Sequence, residues 1–110
     1  MANTYKNAMF DLTTTDATTV YTCPTNATAI VKAIQTTNIH SGAIDVTVFT
    51  VDSSNSSAEF EVALVNLGSK NVENLAKSSM VLESGDAIKI QAGIGNRIAG
   101  IISVLEITRD

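Results

Sequence analysis

The chain has 110 residues, of which 45% are hydrophobic and only 16% charged, with a formal net charge of −4. That is enough apolar material for one compact domain with one core, and too little charge for a disordered tail. Seven Lys and Arg residues stand singly against eleven Asp and Glu, a balance that argues against a surface tracking the phosphates of nucleic acid.

No stretch approaches the roughly 20 consecutive apolar residues of a membrane-spanning helix. The opening MANTYKNAMFDL lacks the charged segment followed by an apolar one that an export signal needs, so synthesis in the cytosol is expected. Cys23 is the only cysteine, which excludes an internal disulfide, and one Cys with one His is too few ligands for structural zinc. Aromatic residues make up 5% with no Trp, so the core must be filled by Ile, Val, Leu and Ala.

In chain order, residues 5–12 and 18–22 are the weaker strand candidates, and residues 1–12 read as an N-terminal arm or edge strand ahead of one sandwich domain, 13–110. Residues 28–38 predict a long strand carrying Ile30, Val31, Ala33 and Ile34. In 43–51, Ile44, Val46 and Val48 alternate with Asp45 and Thr47, as a half-buried strand requires. Residues 59–65 predict another strand with Phe60, Val62 and Leu64 on one side. Residues 71–80 are polar and weakly periodic and favour a further strand with a loop over a helix. Residues 86–92 place Ile88, Ile90 and Ala92 inward and Lys89 and Gln91 outward. The last run, 97–108, is apolar on both faces through Ile98, Ile101, Ile102, Val104 and Leu105, which predicts a central position or an oligomer contact. Clusters of Ser, Thr, Asn, Asp and Gly separate these runs. The expected fold is all-β, an antiparallel β-sandwich or jelly roll of about seven to eight strands.

Few residues point to chemistry. In VLESGDAIKI, Gly85 supplies a turn position tolerant of positive φ and Asp86 can bond the turn backbone. Glu83 and Asp86, or Asp45, Asp52 and Glu59 around the Ser-rich tip, fall short of the about six to eight oxygens that calcium takes. His40 has no motif placing a nucleophile and an acid beside it, and Cys23 no nucleophile signature around it. Gly93-Ile94-Gly95 lies between strands, not before a helix, so it is no phosphate loop. The sequons at Asn26 and Asn55 are loop composition in a chain without an export signal. No enzyme, cofactor or metal is expected.

Four segments together resemble a family of small virion proteins of tailed phages, notably marine and cyanobacterial ones. They are VYTCPTNATAIVKAIQTTNIH (20–40), VTVFTVDSSNSSAEFEVA (46–63), MVLESGDAIKIQA (80–92) and ISVLEI (102–107). Cys23-Pro24 and the Gly-rich 93–96 turn depart from the family's loops. The resemblance implies a virion location and a structural role, first as a head decoration (cement) protein on the outer capsid surface, stabilising contacts between capsomers. Its partners would be the major capsid protein or other virion subunits. The VLESGDAIKI hairpin also resembles those of trimeric jelly rolls, which implies a homo-oligomer, a trimer first.

Such a protein acts by burial repeated over a symmetric shell. The candidate partner-binding residues are Tyr5, Met9 and Phe10 on the N-terminal arm and Ile98, Ile101 and Leu105 on the last strand. A tail, neck or fibre-associated subunit is the alternative, though the chain has neither the repeats nor the heptads of a long fibre. A carbohydrate-binding module using loops 52–57 and 93–96 is a third reading, poorly equipped with stacking aromatics.

Overall fold

A computed structural model describes residues 2–109 and is a sandwich of two antiparallel sheets. Nine strands follow in chain order: β1 (Ala2–Leu12), β2 (Thr18–Thr22), β3 (Ala27–Asn38), β4 (Ile44–Asp52), β5 (Ala58–Leu67), β6 (Val72–Asn74), β7 (Met80–Leu82), β8 (Ala87–Ala92) and β9 (Ile98–Thr108). Sheet A has the order β1-β9-β3, with β6 and β7 side by side in sequence along the far edge of β3. Sheet B has the order β2-β8-β4-β5.

The core lies where the alternation placed it. Ile44, Val46 and Val48 from β4 and Ile88, Ile90 and Ala92 from β8 are buried against Val31, Ile34, Ile102 and Val104 of sheet A. Each such side chain contributes on the order of 1.5–3 kcal/mol by leaving water. The β-branched residues that dominate this set suit a pleated surface packed on one face.

Buried polar groups in the sandwich are satisfied. Asn38 Nδ2 donates to the carbonyls of Gly42 (3.0 Å), Leu67 (3.0 Å) and Gly68 (3.2 Å), and Asn38 Oδ1 accepts from the His40 amide (2.8 Å). One side chain thereby fixes the exit of β3 against the exit of β5. Gly85 takes φ +84, the turn conformation expected of it. Asp86 accepts from the Glu83 amide (3.0 Å), from the Ser53 amide (3.0 Å) and from Ser53 Oγ (3.2 Å). It ties the β7–β8 turn to the single 3-10 turn Ser53–Asn55.

Two expectations change. Among the described residues there are nine strands in place of about seven to eight, because the 71–80 region and its flank supply two three-residue strands, β6 and β7, held by β3. Phe60, Val62 and Leu64 do not share a face. Val48 pairs with Ala63 and Phe49 with Glu61, so Val62 is an extra, bulged residue. The bulge shifts the phase of β5, turning Leu64 outward with its neighbour Thr47 and Phe60 to the inner side, at the open rim near Val81.

Candidate assembly surface

The outer face of sheet A is the feature that a soluble monomer does not require. Even-numbered residues of β9 face the core: Ile98, Ile102 and Val104 are buried there, and Glu106 is 6% exposed. The odd-numbered ones therefore face out. Strand register then builds a row across four strands, Tyr5 beside Leu105, Leu105 beside Ile30 and Ile30 beside Val81. A second row sets Met9 beside Ile101, and a third sets Ile107 next to Asn3 and Thr28. Tyr5 is 80% exposed, Met9 76% and Val81 65%, so the row opens to solvent at both ends and is half-covered at its centre. Charge on this face, among the described residues, lies at Asp11 at one end, at Arg109 at the other, where its guanidinium is 3.1 Å from the Thr28 hydroxyl, and at Lys32 at the bulge that interrupts β3.

Sheet B presents the opposite texture. Outward residues there include Lys89 and Glu59, ion-paired at 2.6 Å, and Asp45, which accepts from Asn66 at 2.8 Å. Leu64, 70% exposed, and the half-buried Phe49, which pairs with Lys89 and Glu61, are large apolar residues among them, and the bulged Val62 on β5 is 46% exposed. Exposed apolar residues interleaved with ion-paired charges are ordinary, whereas contiguous apolar rows mark contact surfaces.

The residues expected to bind a partner divide by parity. Tyr5, Met9, Ile101 and Leu105 come together on the outer face of sheet A. Phe10 and Ile98 face inward: Ile98 is 1% exposed, and Phe10 packs on the core with its ring against Gly100. Sequence reasoning passed over Ile30 and Val81 as surface residues. Their signal was present, since two successive apolar residues in a strand, as in Ile30-Val31 and Val81-Leu82, must send one to each face.

The groups weighed for chemistry have local duties. The Asp86 carboxylate is engaged as above, Asp52 accepts from the Ser54 amide (3.1 Å) and hydroxyl (2.7 Å), and Glu59 pairs with Lys89. His40 accepts at its carbonyl from Ser69 Oγ (2.9 Å), a turn role. Among the described residues no group of three His, Cys, Asp or Glu could hold a metal ion. Burial, and after it the Glu106 charge, pushes the Cys23 thiol up, and Sγ lies 3.4 Å from the Ala27 carbonyl as a donor. A thiol held protonated inside a core is the reverse of an activated nucleophile. The 52–57 and 93–96 loops lie at opposite ends of β4, since Val51 pairs with Ala87 and Val46 with Ala92, so they do not converge on one ligand.

A second polar contact, beside that of Asn38 with the Leu67 carbonyl, joins the sheets. Tyr21 of β2 donates its hydroxyl to Glu106 Oε2 of β9 at 2.6 Å. Burial first, then the hydrogen bond and charge of Glu106, push the Tyr21 phenol well above its ordinary value.

No family model matches the chain, and no curated protein matches it in sequence. Among solved structures, it is similar to one from Bacillus endospore appendages, described as a family of disulfide-linked pili. The identity is 12%, the coverage 98% of this chain and 89% of that one, and the TM-score 0.57. At that identity the likeness establishes the fold, a single sandwich matched nearly end to end. A looser overlap, TM-score 0.38 at 10% identity, covers 98% of this chain and 31% of a chain of infectious bursal disease virus, Gt strain; it bears no weight here.

Proposed function

We propose that the chain is a non-enzymatic structural subunit of a phage particle, a head decoration protein seated on the outer capsid surface through the outer face of sheet A. The observation that carries this reading is the contrast between the two sheet faces. One is apolar in register across four strands, with Tyr5, Leu105, Ile30 and Val81 in line, and the other interleaves Phe49 and Leu64 with polar and ion-paired residues. Aromatic and Met residues are enriched in contact surfaces over general surface, and here Tyr5 and Met9 stand in apolar rows with Lys32, among the described residues, as the one charge between them. The partner would be the major capsid protein, and repetition of a modest contact over a symmetric shell would supply avidity.

A filament subunit is the second reading, favoured by the near full-length fold likeness to the spore-appendage structure. The linkage chemistry named for those pili does not carry over, because the one cysteine, Cys23, is buried. Co-sedimentation of the purified chain with shells lacking it separates the readings. Saturable pelleting with shells, and no filaments by electron microscopy, is the expected result. A chain that ignores shells and forms filaments by itself would replace the first reading with the second.

A further inference from the structure

The free edge of β1 is unlike the other edges of the sandwich. β2 is five residues long and bulged at Val20, β5 is bulged at Val62 and carries Glu59 and Glu61, and β6 and β7 are three residues each. Those are the ordinary devices that blunt an edge. β1 instead pairs with β9 through eleven residues in unbroken register, with no proline and no bulge.

The direction of its backbone groups follows from its neighbour. The Arg97 carbonyl accepts from the Ile39 amide (3.0 Å), and the Arg109 amide donates to the Asn26 carbonyl (2.8 Å). Odd-numbered residues of β9 therefore turn their main chain to β3, and even-numbered ones turn it to β1. Even residues of β1 face even residues of β9, so Asn3, Tyr5, Asn7, Met9 and Asp11 aim their N–H and C=O groups at the free edge.

We propose that this edge binds the same edge of a second copy, β1 against β1, antiparallel about a two-fold axis through Asn7. Asn7 is the middle residue of Ala2–Leu12, so this register engages the whole strand. It sets Tyr5 opposite Met9 of the second copy, Asn3 opposite Asp11, Lys6 opposite Ala8 and Thr4 opposite Phe10. No like charges meet, and the two most exposed large apolar side chains among the described residues cover each other in both symmetry-related pairs. A hydrogen-bonded antiparallel pair of this kind is self-complementary, as a two-fold interface must be. The two outer faces of sheet A become one continuous surface. This contact is independent of docking on a shell, and it closes at two copies where the hairpin resemblance implied three.

The test combines solution mass with cysteine placement. The wild-type chain is expected to run as a dimer in light scattering, and Asn7→Cys to cross-link to dimer under mild oxidation, since facing residues sit about 5.5 Å apart at Cα, within disulfide reach. Tyr5→Cys and Met9→Cys should each fail alone, being roughly 13 Å from their own copies along the strand, and should cross-link when mixed. Asn7→Pro removes an N–H that β9 does not use and should give a folded monomer by circular dichroism. If that variant does not fold, the Tyr5→Lys, Met9→Lys double variant sets like charges opposite each other, and a surviving dimer overturns the register. A monomeric or trimeric wild type overturns the proposal, as does Tyr5→Cys cross-linking alone. A dimer that ignores shells supports it while removing the docking reading; a monomer that pellets with shells does the reverse.

Discussion

Tyr21→Phe removes one hydroxyl and with it the polar contact that ties β2 of one sheet to β9 of the other. The lost bond is short, 2.6 Å, and its acceptor Glu106 is 6% exposed. A hydrogen bond to a charged group contributes about 1.5–3 kcal/mol, and the partial exposure of Tyr21 selects the lower end, about 1.5 kcal/mol. With an unfolding entropy of about 0.23 kcal/mol/K for a domain of this size, the melting temperature falls by about 6 °C. The pH dependence has a definite sign. The folded phenol holds its proton above the unfolded value of about 10, so its contribution is complete below that pH and is lost as pH climbs beyond it toward the folded value. Thermal melts of wild type and Tyr21→Phe at neutral pH and across the alkaline range read both effects. The variant should be less stable at neutral pH and should show a shallower alkaline decline. Equal melting temperatures, or parallel alkaline slopes, would refute the bridging role.

Three further substitutions probe the frame. Asn38→Ala strands the Leu67 carbonyl and the other groups it serves, and chemical denaturation should show a loss of about 3 kcal/mol. Gly100→Ala would drive a methyl into the Gln35 carbonyl and to 2.7 Å from the Phe10 ring, so a loss of about 3 kcal/mol in urea melts is expected, at the top of the range for overpacking. Asp86→Ala frees the 53–55 turn from the β7–β8 turn, costing about 2 kcal/mol, with faster amide exchange at Ser53 and Glu83 as the local readout.

Legibility in the sequence followed the length and purity of each strand's alternation. β4 and β8 were readable residue by residue, because Asp45, Thr47, Lys89 and Gln91 interrupt an otherwise apolar pattern on one side only. β1 was blurred: its inner positions include Thr4 and Lys6 and its outer ones Tyr5 and Met9, so polarity does not report facing. β6 and β7 are three residues long and offer no period at all. The bulge at Val62 defeated the reading of β5, since one unpaired residue reverses every side chain beyond it. The candidate surface was half visible. A last strand apolar on both faces pointed to a central position or an oligomer contact, and β9 does lie between β1 and β3, but the apolar row on its outer face runs through Ile30 and Val81, which only pairing brings beside Leu105.

The proposed docking on a shell assigns the contact to the outer face of sheet A. Leu105→Glu places a charge in the middle of the apolar row, while Leu64→Glu places one at a 70% exposed position on the outer face of sheet B. Co-sedimentation of both variants with shells lacking the protein, after circular dichroism confirms that each is folded, reads the answer directly. The account predicts that Leu105→Glu stays in the supernatant and Leu64→Glu pellets as wild type does. Pelleting of Leu105→Glu at wild-type levels, or selective loss with Leu64→Glu, would contradict it.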